Sequence, residues 1–158
     1  MVIIYEGGQN FALKTKNTTI ELGDKMMLGS FSVTEPGEYE VGGIQLEAID
    51  GVSQVFIEGM VVGHIKNAKT LSETELEKLS SINILLIGVG GGEFGETKTA
   101  IETINQIDPQ LVIPMHGGNI EDFIKAEAAN SVAQDELKIN KADLSADERQ
   151  VVILNARR

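Results

Sequence analysis

Two nearly unbroken apolar runs, Ile82–Ile87 and Leu111–Met115, flank a stretch with helical periodicity. A strand that is apolar at successive positions must be covered on both faces. Between the runs, Ala100, Ile101, Ile104 and Ile107 fall on one side of a helix predicted over residues 96–107, which Asp108-Pro109 ends. A strand, a helix and a second strand in this order place a β-α-β unit at the centre of the fold.

The first 65 residues follow a different rule. Val2–Tyr5 is a short apolar run, and residues 11–14 and 18–22 alternate around a turn at Lys16-Asn17. Phe31–Val33, Ile44–Ile49, Val55–Ile57 and Met60–Val62 are further short strands, punctuated by Pro36-Gly37, Gly42-Gly43 and Glu58-Gly59. This is a meander of mostly antiparallel strands. After it, Ser72-Glu-Thr-Glu75 is a capping box that opens a helix. Asn119 is expected to cap another helix carrying Ile120, Phe123, Ile124 and Ala128. Residues 137–139 and 151–154 are expected to be the last strands. With no linker, repeat or low-complexity segment, residues 1–158 are read as a single α/β sandwich with mixed sheets.

A chain of 158 residues can bury roughly 70% of its unfolded surface without staples. It has no cysteine, which excludes disulfides, thiolate metal sites and thiol catalysis. The opening Met1-Val-Ile-Ile-Tyr-Glu6 lacks the basic region of a signal peptide, and no apolar segment reaches the roughly 18 residues of a membrane span. A cytoplasmic location is expected, with no membrane partner. The formal charge is −11, from 24 acidic and 13 basic residues. Nucleic-acid binding uses Lys and Arg to displace counterions, so the composition argues against DNA or RNA as a partner.

The glycines after the first apolar run invite a different idea. Gly90-Gly-Gly92-Glu-Phe-Gly95 formally matches G-x-G-x-x-G, a dinucleotide fingerprint. That fingerprint also wants an acid at the end of the second strand, where this chain reads Met115-His116-Gly117. The same residues nearly match a phosphate-binding loop, but Glu96 stands at the lysine position and Glu93 lies within the loop. Carboxylates repel phosphate. The glycines are better read as a tight strand-to-helix connection in which backbone packs on backbone.

Several segments, taken in order, resemble a known family. They are Glu35-Pro-Gly-Glu-Tyr-Glu-Val-Gly-Gly-Ile44, Leu71–Leu79, Ile84–Gly91, Ile104–Pro109 and Val112-Ile-Pro-Met-His116, with Gly7 and Phe11 at the opening strands. Together they resemble metallo-β-lactamase-fold hydrolases, in particular the bacterial branch that includes ascorbate-phosphate-lactonase-like proteins. The resemblance implies an α+β fold: an αββα sandwich of two mixed sheets face to face with helices outside. It also puts the glycine stretch on the edge that carries the active site.

The resemblance further implies one or two metal ions, usually zinc, that activate a water for hydrolysis. The family's ligands come mainly from an H-x-H-x-D-H loop, which should fall between Leu22 and Phe31. Only Gly23–Ser30 is present there. A second, His-bearing loop should follow Ile49, where Asp50-Gly51 lead directly onward. The bridging aspartate should fall near Ile65, where the chain reads Gly63-His-Ile-Lys-Asn67. Gly8 stands where a histidine often follows the opening strand. Of two histidines, His116 matches a terminal ligand position, and His64 is a weaker candidate one or two positions out of place. Asp24, Asp50 and Glu93 could add oxygen donors if their loops converge.

The leading expectation is therefore a degenerate, catalytically inactive member of the fold with a binding or assembly role and no cofactor. Its partner would be a second copy, as a dimer, or an active relative. Val61-Val62, Met26-Met27-Leu28 and Phe94 are expected to supply apolar surface at the bared edge. One alternative is a hydrolase whose reduced metal site, zinc or another divalent ion, is shared between subunits. Another is a small-ligand binder, for phosphate or a nucleotide, at Gly90, Gly91, Gly92 and Glu93 near His116.

Overall fold

The computed structural model describes residues 1–49, 51–117, 119–130 and 132–157. Among them, the meander is longer than its sequence suggests. It comprises β1 (Val2–Gly7), β2 (Asn10–Lys14), β3 (Thr19–Leu22), β4 (Met26–Leu28), β5 (Phe31–Val33), β6 (Gly37–Val41), β7 (Ile44–Ile49), β8 (Val52–Ile57) and β9 (Met60–Ile65). The segment expected to be a stunted loop is thus a strand, β4, in a short hairpin with β3. Pairing of Ile20 with Leu28 and Glu21 with Met27 holds that hairpin.

The second half alternates as its periodicity predicts. It runs α1 (Glu73–Lys78), β10 (Ile84–Gly88), α2 (Thr97–Ile107), β11 (Leu111–Met115), α3 (Glu121–Ala126), β12 (Leu137–Lys138) and β13 (Gln150–Val151). The Ser72 capping box forms in full. Asn119 does not cap α3; its side chain accepts from the Glu121 N–H, while Ile120 occupies the cap position.

The strands make two sheets. One has the order β12-β1-β2-β3-β4-β5 and is antiparallel in every pair. The other has the order β13-β11-β10-β9-β8-β7-β6 and is mixed, with β10 parallel to both β9 and β11. Parallel neighbours need crossovers, and α1 and α2 supply them. The predicted two-faced burial is complete: Ile84, Leu85, Leu86 and Ile87 are all fully buried. Ile84 and Leu86 face the first sheet with Ile3, Tyr5, Leu13, Leu46 and Val62. Leu85 and Ile87 face the helices with Ala100, Ile104 and Phe123. The result is an α+β sandwich with helices on the outer face of the seven-stranded sheet. No helix among the described residues is long and apolar enough to cross a membrane.

The apolar surface lies elsewhere than the sequence suggests. Val62, Leu28 and Phe94 are buried, and Val61, Met26 and Met27 are only partly exposed. Val62 and Leu28 point between the sheets, Val61 packs against the helix side of its sheet, and the 3-10 turn at residues 92–94 buries Phe94. The exposed large hydrophobics are Phe31, Val41 and Val132.

Candidate functional site

Parallel strands end on the same side of a sheet, so β9, β10 and β11 deliver their C-terminal ends to one edge. His64 comes from the end of β9, the glycine loop follows β10, and His116 follows β11. The facing sheet adds the β1–β2 turn at Gly8-Gln9 and the β3–β4 turn at Gly23-Asp24.

His64 keeps the inward phase of Met60 and Val62 and is 7% exposed. Its Nε2 lies 2.8 Å from the Gln9 carbonyl oxygen. A carbonyl only accepts, so Nε2 carries the hydrogen. Burial pushes this imidazole below its ordinary pKa and keeps it neutral, against the opposing pull of the Gln9 carbonyl.

His116 is also pushed below its ordinary value by burial, opposed by a hydrogen bond to the Leu154 backbone. Its Nε2 is buried with no hydrogen-bond partner. Its backbone is held from the other sheet. The Tyr5 hydroxyl accepts from the His116 N–H at 3.2 Å and lies 3.1 Å from the His116 carbonyl and 2.8 Å from that of Gly8. Burial raises the Tyr5 pKa, the bond to the His116 backbone opposes this, and the charge of Glu93 adds to it; the hydroxyl stays protonated.

The two histidines are connected through a series of rings. Tyr5 and Phe11 are register partners on β1 and β2. Their centroids stack at 4.8 Å, Tyr5 lies 5.6 Å from the His116 ring, and Phe11 meets the His64 ring edge-on at 6.3 Å. Apolar ring surface fills the space along this row.

Oxygen donors are turned to other work. The Asp24 carboxylate accepts from the side chains of Asn10, at 3.0 Å, and Gln9, and these bonds lower its pKa. Glu93 pairs with Lys66 at 3.5 Å. Asp50 lies outside the described residues. A cleft of about 320 Å³ beside His64 is lined by Gln9, Met26, Ser53, Lys66 and Asn67 among others. Sequence reasoning missed Tyr5, Gln9 and Lys66. The available signal for the Tyr5–Phe11 pair was two short apolar runs close together in the chain, Val2–Tyr5 and Phe11–Leu13.

The glycine loop folds back on itself around Phe94, which is 2% exposed. Residues 92–94 form a single 3-10 turn, and the Gly91 N–H donates to the Gly95 carbonyl at 2.6 Å. A Cβ on Gly88 would sit 1.9 Å from the Lys66 carbonyl oxygen. One on Gly90, whose φ is +93°, would meet the Asn119 carbonyl at 2.8 Å. Backbone-on-backbone packing accounts for both glycines. Helix α2 begins after Glu96, with no side-chain cap.

A structural zinc site needs four donors, and a catalytic one three protein donors plus water, at about 2.0–2.2 Å for nitrogen and oxygen. His116 Nε2 offers one, while the Nε2 of His64 is committed to Gln9. No group of three His, Cys, Asp or Glu among the described residues could hold a metal ion. These residues do not fit the metal that the fold implies.

Residues 8–116 match the family profile described as Beta-lactamase superfamily domain. The match begins at Gly8 and ends at His116, the two residues that meet at the Tyr5 hydroxyl. Among solved structures, a metallo-beta-lactamase superfamily protein from Thermotoga maritima is 22% identical. The alignment covers 97% of each chain with a TM-score of 0.77. The metallo hydrolase Igni18 from Ignicoccus hospitalis is 11% identical over 79% of this chain and 89% of its own, with a TM-score of 0.59. At these identities the likeness is one of fold. No curated protein matches the sequence.

Proposed function

This chain belongs to the beta-lactamase superfamily, and from that premise we propose that it is a non-catalytic member that works by binding or assembly. On its motif order we assign it to the branch that includes ascorbate-phosphate-lactonase-like proteins, in a shortened form without the metal loop. The observation that carries the reading is the row His116–Tyr5–Phe11–His64. Where hydrolysis would need several converging donors around a metal-bound water, this edge offers stacked rings, one imidazole tied to a carbonyl and one unpartnered nitrogen. The tight β3–β4 hairpin leaves no room in the chain for a ligand-bearing loop between residues 22 and 31. Hydrophobic burial holds the sandwich together without that loop, so the scaffold outlasts the chemistry. The partner is a second copy of the chain or an active relative of the same fold, in the cytoplasm.

A panel of ester, lactone, lactam and phosphodiester substrates, with Zn²⁺ or Mn²⁺ supplied, tests this. Turnover no greater than that of the His116→Ala variant supports the reading. Metal-dependent turnover abolished by that substitution overturns it.

One observation favours a second reading. The buried, unpartnered Nε2 of His116 is a free donor that a metal site shared with another subunit would use. In that case activity appears only in the oligomer.

A further inference from the structure

Strands β5 and β6 are the terminal strands of their sheets, and only residues 34–36 connect them. They therefore lie on one open side of the sandwich. β6 pairs with β7 over five consecutive positions, Gly37 with Ala48 through Val41 with Ile44, with no bulge. Its other side has no strand beside it among the described residues. Such an edge is a regular template about 17 Å long, with alternate backbone N–H and C=O groups unpaired.

The two faces of this edge differ. Tyr39 and Val41 share the inner face, and the Tyr39 ring meets that of Phe31 from β5 at 5.8 Å. Phe31 is 47% exposed and Val41 39%. Two of the three exposed large hydrophobics among the described residues thus lie at this one opening. Glu38 and Glu40 alternate with them on the outer face, both exposed, beside Glu47 across the ladder. A second copy adding antiparallel at β6 and centred on Tyr39 would set Glu38 and Glu40 of one copy against those of the other. Like charges directly opposite are destabilising. The same alternation is complementary to a strand that carries basic residues outward and apolar residues inward.

We propose that β6 docks an extended segment of a partner protein by strand addition, the segment alternating Lys or Arg with apolar residues. Main-chain hydrogen bonds supply affinity, Phe31, Tyr39 and Val41 receive the apolar side chains, and Glu38 and Glu40 select the charge. The inference rests on the binding role proposed above and names its partner's chemistry; self-pairing at β6 centred on Tyr39 is disfavoured by charge.

The test uses the full chain and a short synthetic peptide alternating lysine and valine, with hydrogen exchange as the map. The peptide protects amides within Gly37–Val41. The E38K/E40K double variant binds it about tenfold more weakly and gains affinity for the glutamate–valine peptide. E77K/E102K, which changes net charge equally but on α1 and α2, binds as the unaltered protein does. Methylating alternate backbone nitrogens of the peptide abolishes binding. Protection on another strand, equal weakening by E77K/E102K, or retained binding of the methylated peptide would overturn the proposal. Metal-dependent turnover overturns the non-catalytic reading and leaves the edge intact, whereas an unprotected β6 in a protein without turnover overturns the edge alone.

Discussion

The Tyr5 hydroxyl reaches from the six-stranded sheet to grip the backbone of His116, accepting its N–H at 3.2 Å and facing its carbonyl at 3.1 Å. The same oxygen lies 2.8 Å from the Gly8 carbonyl. One phenol thus fastens together the two ends of the family-matched segment across the sandwich. The site edge is a structural joint, and its histidine is held by its main chain.

That joint predicts the effect of Tyr5→Phe. The ring and its stacking on Phe11 remain, so only the hydroxyl's bonds are lost. Leaving the partly buried His116 N–H unpaired costs about 1–2 kcal/mol. For a chain of this length the melting temperature falls by about 3–6 °C. Thermal unfolding followed by circular dichroism measures this, and an unchanged midpoint would show that the joint bears no load.

Acid sensitivity follows from His64. Burial holds its pKa below the ordinary value in the folded state, while the unfolded chain titrates near 6.5. Below that value the unfolded state binds a proton that the folded state refuses. Stability therefore falls as pH drops from about 7 toward the folded-state pKa, by at most about 1.4 kcal/mol per pH unit for this group. His116 contributes in the same direction. Denaturant unfolding at about pH 7.5 and about pH 5.5 shows the loss, and His64→Gln flattens the slope. Asp24, whose pKa is lowered, adds its loss only at more acidic pH.

Gly88→Ala tests the reading of the glycine loop. The added methyl would lie 1.9 Å from the Lys66 carbonyl, a backbone atom that cannot rotate away. The loop must shift, at a cost of about 3 kcal/mol or more. A variant of near-normal stability would contradict the packing account.

Much of this was legible in the sequence because burial writes itself in periodicity. Ile84–Ile87 is apolar at successive positions because one side packs against Ile3, Tyr5 and Leu13 of the facing sheet and the other against Ile104 and Phe123 of the helices. The capping box at Ser72 and the helix end at Asp108 are local chemistry and formed as read. The edge was harder to read. Met26–Leu28 resembles a loop remnant in sequence, but pairing with β3 across a short hairpin makes it a strand. Phe94 looks like exposed loop surface; beside Gly88 and Gly117 it is a core residue. The Tyr5–His116 bond spans 111 positions and has no sequence signature.

Metal content is the most direct test of whether this superfamily scaffold has a working metal centre. The chain is purified without chelators from zinc- and manganese-supplemented cells and analysed by elemental mass spectrometry beside His116→Ala. The expected result is substoichiometric metal, the same in both proteins. Stoichiometric zinc, manganese or iron that disappears with His116→Ala would contradict it.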